Sequence, residues 1–198
     1  MVHGLEIFRE YFQNCMEQYV LIGGTACDLL MNNAGFDFRV TKDLDMVLFI
    51  ELFSRKPDFV ALKENDHLIR IHTEEDISSL SAILMDESYY QLCLNGKIQK
   101  RGLSILRAEH LIPLKAKAWL DLNQRQGDSG EIEKHRNDIF RLFQIIDPDY
   151  SINLPTDIQN NFMRFVETMK TESFDIKNIG IATAKAVLIK EMVNYYKL

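Results

Sequence analysis

A glycine pair set between an apolar run and a helix-forming stretch constrains this chain more than any other feature. Tyr19-Val-Leu-Ile22 is a short β-prone run that stops at Gly23-Gly24, and Thr25 to Asn33 then carries helix formers before Gly35 closes the segment. The backbone N–H groups at such a helix start lie at the positive end of the helix dipole and suit a phosphate. Downstream, Asp43 and Asp45 have the same parity as Val47 and Phe49. An extended chain from Lys42 to Ile50 therefore sends both carboxylates to one face and Leu44, Met46 and Leu48 to the other. Two neighbouring carboxylates repel unless a cation stands between them, and magnesium takes one or two carboxylates together with substrate phosphates. Alone, Gly-Gly reads as a turn and Asp-x-Asp as a solvated strand end. In this order, strand, Gly-Gly, helix, loop, Asp-x-Asp strand, they imply a site for a nucleoside triphosphate and Mg2+ (or Mn2+).

Four stretches carry a family resemblance: Gly23-Gly24-Thr25-Ala26, the run from Arg39 through Thr41, Lys42, Asp43 and Leu44 to Asp45, Leu114-Lys115-Ala-Lys117-Ala-Trp119, and Lys134-His-Arg136-Asn-Asp138-Ile-Phe-Arg141. Together they resemble the nucleotidyltransferase superfamily of polymerase-beta type, nearest to the AbiEii-type toxins and their uncharacterised bacterial relatives, over about residues 15 to 145. The resemblance implies an α+β fold, with a small mixed β-sheet, flanking helices and a helical C-terminal part, and transfer of a nucleotidyl group from an NTP. It implies that Asp43 and Asp45 hold the metal, that Gly23, Gly24 and Thr25 meet the phosphates, and that Arg39, Lys42 and Lys117 neutralise nucleotide charge. It also places Lys115 and Asp138 near the chemistry, the lysine against triphosphate charge and the aspartate as orienter or base. The implied acceptor is an RNA, protein or small-molecule hydroxyl, and the toxin branch implies a cognate antitoxin as partner.

The chain departs from that pattern at one point. In the superfamily a crossover follows the Asp-x-Asp strand and a third carboxylate arrives on a later neighbouring strand. Here the strand runs straight into Glu51-Leu-Phe-Ser-Arg55, which itself resembles the third-carboxylate strand. On one continuous strand Asp45 and Glu51 would stand roughly 20 Å apart and could not share a metal. Either the protein lacks the crossover and is weakened or inactive, or another carboxylate such as Asp86 substitutes, or the chain as given omits a segment. Asp86 has a plainer reading as a turn residue between two strands. The rival to an enzyme is accordingly a catalytically degenerate binding protein of the same fold.

The remaining sequence sets the frame. The chain has 198 residues, 46% of them hydrophobic and 26% charged, with a net charge of −6. That is the composition of a soluble globular protein, and the acidic balance argues against general nucleic-acid affinity. No run is apolar for long enough to span a membrane, and the start of the chain reads as an amphipathic helix, so a cytoplasmic location and no membrane partner are expected. Cys15, Cys27 and Cys93 show no metal-ligand or paired spacing and read as reduced core residues. A basic stretch, Lys97, Lys100, Arg101, Arg107, Lys115 and Lys117 against Glu109 alone, is either a phosphate-facing patch or solvated surface. The domain reading is a nucleotidyltransferase-like core over 1–110 and a helical region over 111–198. The phosphate-loop pattern ending in Gly-Lys-Ser or Gly-Lys-Thr is absent, which disfavours a plain kinase.

Periodicity predicts helices over 4–18, 24–33, 131–146 and 156–169, and a last helix near 176–196 that Gly180 interrupts. It predicts strands over 19–22, 42–54 and 67–72, an antiparallel pair 79–85 with 89–94, a hairpin signal at Asn95-Gly96, and a strand over 103–106. Pro113 is expected in the first turn of a helix reaching Asn123. In 131–146 the stripe Ile132, Ile139, Leu142, Phe143 and Ile146 leaves Lys134, Asp138 and Arg141 as a surface ion-pair ladder.

Overall fold

The computed structural model describes residues 5–39, 41, 43–49, 68–71, 80–83 and 86–198, with strands 68–71 and 80–83 described by backbone alone. Lys42, Glu51 and the turn signal Lys56-Pro57-Asp58 lie outside the described residues. The chain is α+β and divides into two compact units, Met1–Arg107 and Ala108–Leu198. No described helix is long and apolar enough to cross a membrane.

The first unit is built on a mixed six-stranded sheet ordered β3-β4-β2-β1-β6-β5, formed by β1 (Tyr19–Leu21), β2 (Leu44–Leu48), β3 (Leu68–Ile71), β4 (Leu80–Ile83), β5 (Lys97–Lys100) and β6 (Leu103–Leu106). β1 pairs antiparallel with β2, Leu21 facing Met46, and parallel with β6, Leu21 facing Ile105. β2 pairs parallel with β4, Asp45 facing Ser81. Helix α1 (Leu5–Phe12) buries Leu5, Phe8 and Phe12, spaced three and four residues apart on one helical face. These side chains join Tyr19, Leu21, Leu44, Met46, Leu48, Leu103 and Ile105 in one core. Phe8 stacks on Phe12 at 4.5 Å and meets the edge of Tyr19 at 5.2 Å.

Three expectations are corrected by this unit. Tyr89–Leu94 is not a strand but the body of α3 (Glu87–Asn95), because its apolar residues fall in helical register and Tyr89, Leu92 and Cys93 are the ones buried. Asn95-Gly96 therefore ends a helix, and the β5/β6 hairpin turns instead at Arg101-Gly102, whose φ values of 51° and 72° match the left-handed pair of a tight two-residue turn. Deprived of that partner, β4 pairs with β3 and β2. α1 also stops at Phe12, short of the expected 18.

The second unit packs α4 (Ala108–Gln124), α5 (Ser129–Phe143), α6 (Thr156–Thr171) and α7 (Lys185–Tyr196) around Ile112, Trp119, Phe140, Phe162, Phe165 and Met192. Trp119 meets the edge of Phe165 at 5.2 Å. The last expected helix is divided: a 3-10 turn covers Ile176–Ile179, Gly180 takes φ 80°, and α7 begins only at Lys185. Pro113 lies well inside α4 rather than in its first turn. Its missing N–H would have donated to the Glu109 carbonyl, and the buried Tyr196 hydroxyl donates to that same oxygen at 2.9 Å. The helix thus accommodates an interior proline because a side chain from α7 satisfies the orphaned acceptor.

The surface ladder is also corrected. Asp138 is fully buried and accepts from Lys115 at 2.8 Å, while Lys134 pairs with Glu131 and the Arg141 guanidinium donates to the Ile179 carbonyl at 3.4 Å. A partner on another helix, 23 residues earlier, draws the carboxylate inward.

Candidate functional site

The site in the first unit is assembled by main-chain bonds before any side chain acts. The Ile22 N–H donates to the Asp45 carbonyl at 2.9 Å, which extends the β1/β2 ladder to the residue immediately before α2 (Gly23–Asn33). The Thr25 hydroxyl, fully buried, donates to the Asp43 carbonyl at 2.7 Å. The helix start and the Asp-x-Asp segment are therefore tied at both aspartates. Leu44 and Met46 are buried, Asp45 is half-buried and Asp43 exposed, the alternation that parity predicts.

Both glycines are required by close approach. Gly23 takes φ +63°, and a Cβ built there would stand 2.2 Å from Asp45 Oδ2, 2.9 Å from its Cβ and 3.0 Å from its Cγ. A Cβ on Gly24 would stand 2.6 Å from the Thr41 hydroxyl oxygen and 3.5 Å from an Arg39 Nη. Hence the Asp45 carboxylate, the Thr41 hydroxyl and the Arg39 guanidinium converge on the first turn of α2. That turn contains no acidic side chain, and Ile22 at the cap position offers no side-chain acceptor for its N–H groups. A helix start of this kind presents backbone donors and positive potential beside a carboxylate and a guanidinium. Of the two acids, Asp45 has its carboxylate placed against Gly23 and Asp43 is tied in through its main-chain carbonyl just before β2; carboxylate oxygens are the donor type that a hard divalent cation takes.

The structure thus brings together Gly23, Gly24, Thr25, Arg39, Asp43 and Asp45. Thr41, to which the motif run assigns no role, joins them. Its place two residues before Asp43 in the motif run was the only signal, and only the fold reveals that its hydroxyl lies against Gly24. The Arg39 guanidinium also lies over the Phe38 ring, 5.3 Å from its centroid.

The other expected residues take different positions. Lys115 and Asp138 belong to the second unit, paired with each other on α4 and α5 with side-chain exposures of 4% and 1%. Lys117 is half-buried and paired with Asp121 one turn along α4, at 2.5 and 2.7 Å. Lys97 donates to the Glu17 carbonyl at 2.6 Å and lies over the Phe49 ring, so much of the basic stretch is spent in local pairs. Asp86 is the exposed residue before α3, beyond the C-terminal end of β4. Since β4 runs parallel to β2 and Ser81 faces Asp45, that strand end lies away from Asp43. β4 itself reads Leu-Ser-Ala-Ile and β3 Leu-Ile-Arg-Ile, with no acid on either. Among the described residues no group of three metal-ligating side chains forms. Burial pushes the Cys93 thiol up to about 12, which leaves it protonated and inert as a nucleophile.

No family model and no curated protein matches the sequence. Among solved structures, an antigenic nucleotidyltransferase-like protein from Paracoccidioides brasiliensis is similar at 16% identity and a TM-score of 0.49, over 83% of this chain and 86% of that one.

Proposed function

We propose that this chain is a metal-dependent nucleotidyltransferase that moves a nucleotidyl group from an NTP to a hydroxyl of an RNA, a protein or a small molecule, in the manner of the toxin-type enzymes its motifs resemble. The observation that carries the reading is the contact of Gly23 with the Asp45 carboxylate, which sets an acid directly on a donor-rich helix start beside Arg39 and Thr41. In this reading Gly23, Gly24 and Thr25 receive the phosphates, and Arg39 with Lys42 neutralises the departing pyrophosphate. Asp43 and Asp45 would hold Mg2+ or Mn2+, which when bound supplies polarisation of the reacting phosphate. The acceptor oxygen forms a bond to the α-phosphorus, the bond from that phosphorus to the α–β bridging oxygen breaks, and the hydroxyl proton passes to solvent. Lys115 and Asp138, bonded to each other and buried, join α4 to α5 within the second unit.

One observation favours a second reading, nucleotide binding without turnover: the strand flanking β2 in parallel carries no acid in Leu80–Ile83. Incubation with α-labelled NTPs and magnesium, comparing the wild type with a variant carrying both Asp43→Ala and Asp45→Ala, tests the proposal. Transfer of label by the wild type and its loss in the variant is the expected result. Equal background in both ends the enzymatic reading, and metal-dependent nucleotide binding without transfer then selects the second.

A further inference from the structure

We infer that the second unit carries a separate binding groove for a small amphiphilic anion, a compound with one carboxylate or phosphate head on an aliphatic or aromatic body. The groove has a volume of about 400 Å³ and is lined by Lys170, Lys185, Ala186, Ile189, Lys190 and Val193. It does not depend on the nucleotide reading.

Its apolar floor and its charge come from the same short stretch of chain. Ala186, Ile189 and Val193 recur at three and four residues along α7, so they form one stripe about 10 Å long at 1.5 Å per residue. Lys185 and Lys190 flank that stripe, and Lys170 approaches from the last turn of α6. The three ammonium groups are poorly neutralised. Lys170 has a carboxylate partner, Glu167, but that pair is about half exposed, at 47% and 55%, and exposed pairs hold their partners weakly. Lys185 donates to the main-chain carbonyl of Glu172, a neutral acceptor, and lies 5.0 Å from the Phe174 ring centre. Lys190 forms no ion pair among the described residues. Glu191 is the one acid of α7 and is not among the lining residues. Ala184, at the cap of α7, offers no side-chain acceptor, so the helix dipole adds to the positive field over Lys185 and Ala186.

A purely apolar ligand would leave these cations without a counter-charge, and a compact inorganic anion would leave the Ala186–Val193 stripe uncovered. A cavity at the small end of the range for ligand sites, with an apolar floor and converging cations, matches a single-headed amphiphile. Lys185 also helps to hold the 172–185 connection, so the test spares it.

Calorimetric titration of the full chain with octanoate and octyl phosphate, with octanol and octylamine as controls, reads the inference directly. Saturable binding of at least one octyl anion is expected, with octanol and octylamine each weaker by roughly ten-fold or more. A variant carrying Lys170→Glu and Lys190→Glu, with its fold confirmed by circular dichroism, should weaken the anion by a similar factor and leave octanol unchanged. Backbone amide shifts on titration should map to Lys170, Ala186, Ile189 and Val193. Equal affinity for octanol and octanoate, unchanged affinity in the charge-reversed variant, or no saturable binding of either anion overturns the inference. So does binding of an acidic amphipathic peptide in the absence of binding by either anion.

Discussion

Replacing Gly23 by alanine attacks the candidate site at its tightest contact. Two independent costs follow from the geometry. The φ of +63° places an L residue in the left-handed region, at about 1–2 kcal/mol. The new methyl would then stand 2.2 Å from Asp45 Oδ2, well inside the 3.0 Å that real Cβ contacts respect, so the carboxylate must retreat by about 0.8 Å or the strand must shift. Overpacking of this kind costs about 1–3 kcal/mol, which brings the total to about 2–5 kcal/mol. The two terms are separable. Asp45→Gly removes all three Asp45 side-chain atoms near the new methyl, so in that background Gly23→Ala should cost only the backbone term. Urea unfolding of the four proteins, followed by Tyr fluorescence and circular dichroism, measures the cycle. A coupling of about 1–3 kcal/mol is expected, with the double variant less destabilised than the two singles summed. A coupling below about 0.5 kcal/mol would refute the claim that Gly23 is glycine because of Asp45.

Three further outcomes are expected. Tyr196→Phe strands the Glu109 carbonyl inside α4 and should destabilise the chain by about 1–3 kcal/mol, whereas in a Pro113→Ala background, where residue 113 regains an N–H for that carbonyl, the cost should shrink; equal costs in both backgrounds contradict the reading. Lys115→Met leaves Asp138 charged and buried, a loss of about 3–5 kcal/mol by thermal or urea unfolding, and adding Asp138→Leu should recover much of it; a double variant no more stable than Lys115→Met argues that the pair is not coupled. Burial raises Cys93, and likewise Tyr19 and Tyr196, above their ordinary values. Each stays protonated in the folded chain while the unfolded chain ionises, so stability is intact below 9.0, the ordinary thiol value, and falls as pH climbs toward about 12. Cys93→Ala should flatten the alkaline fall of the melting temperature, and an unchanged slope counts against the thiol.

The parts of the molecule legible in the sequence were those fixed by local rules. Gly23-Gly24 interrupts a β-prone run and opens a helix, and the period-two pattern through Asp43 and Asp45 fixes which side chains turn inward, so β1 and α2 form near their expected bounds and β2 begins near its own, while the strand expected over 42–54 stops at Leu48, with Phe49 already outside it. Segments whose state depends on distant partners were misread. Tyr89–Leu94 is rich in β-prone residues, but its burial at 89, 92 and 93 is helical. Asp138 has the spacing of a surface ladder, yet Lys115 draws it into the interior. Pro113 was placed by the usual preference for a first turn, and the hydroxyl that permits it elsewhere lies 83 positions further along the chain, on Tyr196. Thr41 shows the same limit within the site, since no local pattern indicates that its hydroxyl will rest on Gly24.

The bond from Ile22 to the Asp45 carbonyl has a consequence for how such a site can be tuned. An acid whose own peptide group belongs to the sheet cannot be repositioned without shearing two strands, so its placement is inherited with the fold. Arg39 and Thr41 stand on the connection between α2 and β2, outside both strands of that ladder. Divergence in ligand preference should therefore accumulate in that connection, while the anchored carboxylate stays where it is.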